Sequence, residues 1–413
     1  MAESLALYVH FPFCLSICPY CDFDRQATGF DRIDTYLSMV ERELEQYDGH
    51  EDVHSIFFGG GTPSLMHPAQ VSAVLQALQG RFNVLPTAEI TLECNPGDAD
   101  LVKLQAFHAA GANRLSFGVQ SLDDAMLPML GRRHSSAEAR QAAVWARLAG
   151  FPFNLDFMFG LPGQTLAHWQ HTLDQAVELE PDHLSCYLLT LDEQVPMGRD
   201  VARGKLVLPE DDDLAEMYTA ARIKLADAGY AQYEVSNWAK PGRESRHNLT
   251  YWRDAQWIGL GAGAASSYRG RRWKNTPALE RYIASVAASG TAQRVEDEQP
   301  DLATQLFDHV TLGLRVREGI SLCSFLAQYH EQLLNILSSE GALLMSKGIL
   351  ELDGDRLRVA AEQQLILNEI LARLRAPIED YARRATSASH NPASSDWAGS
   401  RGRASSRQSS ARR

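Results

Sequence analysis

The chain has 413 residues, 45% hydrophobic and 22% charged, with a formal net charge of -13. That length supports two or three domains around a large core, while the acidic balance argues against a nucleic-acid surface on the folded part. No uninterrupted apolar run reaches membrane-spanning length, and six cysteines with no signal peptide at Met1–Leu7 suggest a reducing, cytoplasmic setting.

The first predicted element is a strand over Ala6–Phe11, a β-branched and aromatic run. It leads into Cys14-x-x-x-Cys18-x-x-Cys21. Three thiolates on one short loop suit a four-iron cluster, and with four irons to ligate one is left open to a small molecule. The competing reading is a zinc site with His10 as fourth ligand. Structural zinc sites usually split their ligands into two distant pairs, and no second pair follows here. Cys94, Cys186 and Cys323 are isolated and read as buried small hydrophobes.

Further strands are predicted over Ser55–Phe58, Glu89–Glu93, Arg114–Val119, Asn154–Phe157 and His183–Leu189. Between them lie amphipathic stretches at Asp31–Tyr47, Ala69–Leu78, Asp100–Ala110, Ser136–Ala149 and Leu166–Glu178. Such alternation predicts right-handed βαβ units and a parallel sheet. Six units predict an α/β barrel, complete or not, with its chemistry on the loops at the carboxyl ends of the strands. The cysteines follow the first strand, Gly59-Gly60-Gly61-Thr62-Pro63 the second, Glu93-Cys94-Asn95-Pro96 the third, Gln120 the fourth and Gly160-Leu161-Pro162-Gly163 the fifth.

Residues 1–230 are therefore assigned to the barrel and 231–300 to an aromatic and glycine-rich extension holding His247-Asn248-Leu249-Thr250-Tyr251-Trp252. Residues 301–375 read as a small, mostly helical, winged-helix-like domain with a hairpin at Asp353-Gly354-Asp355. On an acidic chain this is expected to be a packing or lid module. From Ala376 to Arg413 the composition turns to Ser, Ala and Arg, and a disordered, solvated tail is expected.

The cysteine spacing, with Tyr20 before the third thiol and the Gly-Gly-Gly-Thr-Pro loop after the second strand, resembles the radical S-adenosylmethionine superfamily. The resemblance implies an incomplete parallel (β/α)6 TIM-type barrel and a 4Fe-4S cluster on Cys14, Cys18 and Cys21. It also implies S-adenosyl-L-methionine chelating the open iron, where reduction cleaves it to a deoxyadenosyl radical. Within the superfamily, Tyr8–Cys14, Phe57–Ser64, Arg114–Gln120, Leu130–His134 and Asn154–Pro162 are similar to the oxygen-independent coproporphyrinogen III oxidase-like family, over about residues 5–374. That similarity implies cofactor contacts at Tyr8, Gly60, Gly61, Thr62, Glu93, Gln120, Arg132 and Asp156. Thr190 and Tyr20 match positions that hold a second cofactor molecule. Taken singly, Tyr8 reads equally as a barrel-wall aromatic, Asp156 as a strand-end cap and Arg132 as a surface cation.

Two departures separate the chain from the dehydrogenase itself. Phe23 stands where that enzyme has a further cysteine, and the first strand begins by about Leu5, without a substrate-covering arm. Both departures, and His247-Asn-x-x-Tyr251-Trp252, resemble the haem-chaperone branch, the HemW group. This implies haem as a further cofactor, with His247 as the axial ligand, Tyr251 and Trp252 as cover, and acceptor haemoproteins as partners. Neutral imidazole is a common axial ligand, though a structural histidine between core aromatics is the bland alternative. No catalytic residue is assigned, and a homodimer or peripheral membrane contact stays open. The alternatives are oxidative decarboxylation of coproporphyrinogen III and, against the acidic balance, modification of tRNA.

Overall fold

The computed structural model describes residues 4–98 and 100–389. Six strands, β1 (Leu5–Phe11), β2 (Asp52–Gly60), β3 (Asn83–Cys94), β4 (Arg114–Gln120), β5 (Phe153–Phe159) and β6 (His183–Leu188), pair in that order and all in parallel. They alternate with α1 (Ile33–Glu43), α2 (Pro68–Arg81), α3 (Leu101–Ala110), α4 (Ser136–Leu148) and α5 (Leu166–Glu178). This is the α/β barrel of six units that the alternation predicts. Every predicted strand and helix of this region is present. The third strand differs most, beginning about six residues earlier than expected, at Asn83, because Asn83 and Val84 pair with Asp52 and Val53.

Local signals start the helices. Ser135 and Glu138 form a capping box at α4, and Thr165 and Asp100 accept the first free N–H groups of α5 and α3. The helices cover one face of the sheet, so β1 and β5 are buried along almost their whole length, as expected of parallel strands.

After α6 (Pro196–Ala202) and α7 (Asp211–Asp227), the chain forms β7 (Ala231–Glu234) and β8 (Asn237–Ala239), and β8 pairs antiparallel with β6. Helix α8 (Arg246–Trp252) follows. Then β9 (Trp257–Leu260) pairs parallel with β1, and β10 (Ala265–Tyr268), β11 (Arg271–Asn275), α9 (Leu279–Ser289) and β12 (Arg294–Glu298) extend that edge. The aromatic, glycine-rich segment is thus built into both edges of the barrel sheet. Trp238, Ile258, Leu260 and Tyr282 share one core with the barrel strands.

Helix α8 lies at the amino-terminal end of the barrel. The Glu89 carboxylate accepts the backbone N–H groups of Arg246 and His247 at 3.2 and 3.1 Å, and His54 bonds Thr250 at 2.8 Å. A helix N-terminus favours this negative charge.

The last region has α10 (Leu302–Arg315), β13 (Ile320–Ser321), α11 (Leu322–Tyr329), α12 (Leu333–Ser346), β14 (Leu350–Asp353), β15 (Arg356–Val359) and α13 (Leu367–Ser389). Its strands form a separate antiparallel sheet in the order β13-β15-β14, over a core of its own that includes Leu306, Phe325, Leu337 and Leu357. The expected hairpin turns at Gly354, with φ 58°.

Helical structure runs further than expected, through the first part of the segment from Ala376 that reads as a disordered tail. Helix α13 continues through Pro377 to Ser389, with Ile378 and Ala382 buried in this second core. Its apolar positions Leu367, Ile370, Leu371, Leu374, Ile378 and Ala382 hold a helical spacing that the intervening arginines and Pro377 obscure. Residues 390–413 lie outside the described residues. Among the described residues, no helix is long and apolar enough to cross a membrane.

Candidate cluster and cofactor site

Pro12–Gln26 leaves β1 as a loop closed at its base, where the Cys14 N–H donates to the Gln26 carbonyl and the Gln26 N–H to the Pro12 carbonyl, at 2.9 and 2.7 Å. Within it the Cys21 N–H turns back on the Cys18 carbonyl at 3.2 Å, and Arg25 bonds the carbonyls of Phe23 and Cys21. All three thiols are part-buried and line one cavity of about 600 Å³ at the carboxyl end of the barrel, a volume within the ordinary range of small-molecule sites.

Donors are aimed at two of these sulfurs. The Thr62 hydroxyl donates to Cys14 Sγ at 3.6 Å, and Arg132 Nη1 to Cys18 Sγ at 3.7 Å. Burial pushes the Cys14 and Cys21 thiols up, so a cation must bind for both to ionise readily. Donors at sulfur suit thiolates that ligate iron. His10 is removed from any ligand set, because its Nδ1 meets the Tyr8 hydroxyl at 3.2 Å and its Nε2 the Asp24 carbonyl at 2.7 Å. Among the described residues, no three His, Cys, Asp or Glu side chains form a single-ion site.

The glycine loop after β2 crosses this loop closely. Gly61 and Thr62 donate their N–H groups to the carbonyls of Phe11 and Phe13, each at 2.8 Å. A Cβ on Gly61 would lie 2.7 Å from both oxygens. Gly60, at φ 105°, has the His10 ring where a side chain would go. The loop's N–H groups are therefore engaged in holding the cysteine loop rather than offered to a ligand.

Two carboxylates face the cavity from β3 and β5. Glu93 accepts the Gly60 N–H at 3.2 Å, while Asp156 is bonded by Ser116 at 3.1 Å and Asn154 at 2.7 Å. Neither has an ion pair with Lys, Arg or His among the described residues. Burial, then the neighbouring Asp156, pushes Glu93 up to about 8, and burial raises Asp156. A buried carboxylate pair without a fixed cation suits a cationic ligand. Gln120, between the two strands, holds φ 67°, a strained value for a non-glycine residue.

The cavity continues down the barrel to α8, so the cysteines and His247 lie at its opposite ends. His247 is 1% exposed, with Nδ1 bonded to Ser55 at 3.0 Å and Nε2 to Tyr251 at 2.8 Å. Its ring stacks on Phe57 with centroids 5.1 Å apart. Tyr251 also lines the cavity, but Trp252 does not. It turns to the other face of α8, where Arg315 lies 4.4 Å from its ring.

The structure therefore gathers Tyr8, Cys14, Cys18, Cys21, Gly60, Gly61, Thr62, Glu93, Gln120, Arg132, Asp156 and His247 around one cavity, together with Tyr20 and Thr190. It does not bring in Trp252. Cys94 and Cys186 are buried as expected, whereas Cys323 is exposed. Among the cavity residues that escaped the sequence reading are Asn95 and Arg114. Asn95 bonds both Arg132 and Thr62, and only its place in the loop after the third strand signalled it. Arg114, at the start of β4, faces the deep end 4.0 Å from Glu89, and its alternation with Ser116 pointed inward.

Six parallel βα units with a three-cysteine loop after the first strand and a glycine loop after the second define a radical S-adenosylmethionine protein, and residues 8–176 match the radical SAM superfamily. The chain is 35% identical over 368 residues to heme chaperone HemW of Bacillus subtilis (strain 168), spanning 88% of this chain and 97% of that one. It is 36% identical over 406 residues to the mitochondrial radical S-adenosyl methionine domain-containing protein 1 of Mus musculus, spanning 91% and 88%. The structure of coproporphyrinogen III oxidase (HemN) from Escherichia coli shares the fold, with a TM-score of 0.78 over 91% of this chain and 90% of that one at 24% identity. The chain belongs to the HemW family.

Proposed function

We propose that this protein is a haem chaperone of porphyrin metabolism that carries a 4Fe-4S cluster on Cys14, Cys18 and Cys21, binds S-adenosyl-L-methionine beside it, and passes haem to an acceptor haemoprotein. The observation that carries the reading is the single cavity in which three part-buried thiols face the unpaired carboxylates Glu93 and Asp156, on a chain related to heme chaperone HemW. When bound, the cluster and its nucleoside partner supply one-electron reductive chemistry. Glu93 and Asp156 would hold the positive charge of the ligand. Gly60 and Gly61 keep the wall free of side chains, Thr62 and Arg132 brace the thiolates, and Tyr8 and Gln120 close the sides. Thr190 and Tyr20 stand further out at the mouth.

His247 is proposed as the axial haem ligand. Burial pushes it down to about 3, so the imidazole is neutral as ligation requires, and the Tyr251 bond must open to free Nε2. Exposed Leu15, Ile17 and Phe23 on the cysteine loop, with Tyr187 and Leu188 at the end of β6, offer apolar cover for a macrocycle at the mouth.

One anaerobically reconstituted sample tests the reading. About four irons per chain are expected, lost in Cys14→Ser, Cys18→Ser or Cys21→Ser and retained in Cys94→Ser, Cys186→Ser and Cys323→Ser. The same sample should take up haem and release it to an apo-haemoprotein. Conversion of coproporphyrinogen III to protoporphyrinogen with consumption of S-adenosyl-L-methionine would replace the chaperone reading with the dehydrogenase.

A further inference from the structure

We propose that Asn95 is a positioning residue that couples the hydrogen bonds at two of the cluster cysteines and so raises the reduction potential of the cluster. The inference rests on the reading that Cys14, Cys18 and Cys21 hold a four-iron cluster. Asn95 follows the last residue of β3. Its Oδ1 accepts from Arg132 Nη2 at 2.6 Å, and its Nδ2 donates to Thr62 Oγ1 at 3.2 Å and to Asp98 Oδ2 at 2.9 Å. Each of the first two partners has a cysteine sulfur on its far side. Arg132 Nη1 donates to Cys18 Sγ at 3.7 Å, and the Thr62 hydroxyl to Cys14 Sγ at 3.6 Å.

Chemistry fixes the direction of every link. A guanidinium only donates, so the carboxamide oxygen must face Arg132, and an ionised carboxylate only accepts, so the NH₂ must face Asp98 and with it Thr62. Thr62 then accepts from Asn95, which leaves its one proton for Cys14. The backbone holds the carboxamide in place, because the Asn95 N–H donates to Ser64 Oγ at 3.4 Å and the Asp98 N–H to the Asn95 carbonyl at 3.1 Å. Arg132 is anchored as well, by its bond to the Gly118 carbonyl. One side chain thus sets the donors at two sulfurs of the loop, Cys14 and Cys18.

Hydrogen bonds to cluster sulfurs are among the levers on iron–sulfur potentials. They stabilise the extra negative charge of the reduced state more than the oxidised state. Loss of the carboxamide therefore lowers the midpoint without removing an iron ligand.

The test is a redox titration of the reconstituted full-length chain followed by electron paramagnetic resonance, with iron content measured on each sample. Asn95→Leu is charge-neutral and of similar size, and Thr62→Val removes the donor to Cys14. Each is expected to keep parental iron and to move the midpoint to a more negative value. Their combination should move it by less than the sum of the two, because Asn95 acts partly through Thr62. Asn95→Asp keeps the shape should the leucine variant fail to fold, and it draws the Thr62 proton away from Cys14, so its midpoint should also fall. Unchanged midpoints in the Asn95 variants, or strict additivity with Thr62→Val, would overturn the coupling. Iron lost from folded Asn95 variants would overturn it too, making the carboxamide an assembly element. A parent chain that holds no iron refutes the cluster reading instead.

Discussion

His247 and Tyr251 are hydrogen-bonded to each other through Nε2 and the phenol at 2.8 Å, one turn apart on the seven-residue helix that closes the amino-terminal end of the barrel. The other ring nitrogen meets Ser55 at 3.0 Å, so the imidazole is neutral but has no lone pair facing the cavity. Haem ligation at His247 must compete with the tyrosine. Tyr251→Phe removes that competitor, and haem affinity is expected to rise by up to about tenfold, the worth of one hydrogen bond. His247→Ala should weaken haem at least about tenfold with iron content unchanged. Absorbance titration with haem decides. Parental binding in both variants would leave the rim of Leu15, Ile17 and Phe23 as the haem site.

Glu93 links pH to cofactor binding. In the folded chain its carboxyl is pushed up to about 8 by burial and then by Asp156. Tyr8, Tyr251 and the adjacent Cys94 thiol also interact with it. Between about 4.5 and 8 the folded state therefore holds a proton that the unfolded chain has released, so this group's contribution to stability falls as pH rises through that window. A cationic ligand reverses the preference. Binding of S-adenosyl-L-methionine is expected to release a proton below pH 8, and its affinity to rise by at most about tenfold per pH unit up to that point. Calorimetry in two buffers of different ionisation enthalpy measures the proton. Glu93→Gln should abolish the release, and a parent chain with no release would show that Glu93 does not meet the cation.

The cysteine end of this site was legible because βα repetition places its motifs on one end of one barrel. Cys14–Cys21, Gly60, Glu93, Gln120 and Asp156 are far apart in sequence, yet each lies in or just after a predicted strand, and parallel pairing does the rest. The misses have physical causes. The partners of His247 come from β2 and from its own helix, so a linear motif shows the imidazole but not that both nitrogens are engaged. Asn95 acts through its neighbours' side chains, a relation with no periodicity to read. Trp252 sits one position beyond Tyr251 and hence about 100° around the helix, which turns it toward the last domain instead of the cavity. The last helix was expected to stop short because arginines fill the exposed face of α13.

That helix sets a limit on truncation. A chain ending at Ser389 retains the whole of α13 and serves as the reference. A chain ending at Leu374 loses Ile378, which is 0% exposed, and Ala382 from the second core. Deleting a buried isoleucine side chain typically costs about 2–5 kcal/mol. Thermal unfolding should show a clear drop, while iron content, set in the barrel, stays near four per chain by the cluster's stoichiometry. Equal melting of both truncations would show that the end of α13 contributes nothing.

The last domain is fastened to α8 by Arg315. Its Nε donates to Glu234 Oε2 at 2.8 Å, and its guanidinium lies 4.4 Å from the Trp252 ring. The Glu234 side chain is 0% exposed, and its other oxygen accepts from the Ser236 N–H at 2.8 Å and from Asn237. Arg315→Met keeps apolar cover over Trp252 but leaves the Glu234 charge buried without a cation. Breaking a buried pair in this way costs about 3–5 kcal/mol, and the lower end applies because Arg315 is 30% exposed and Glu234 keeps its other donors. Urea unfolding should show the loss. Glu234→Gln in the same chain removes the stranded charge and should restore part of it, so the double variant is expected to be more stable than Arg315→Met alone. If the two losses simply add, the pair does not interact and the last domain is held to α8 by packing on Trp252 instead.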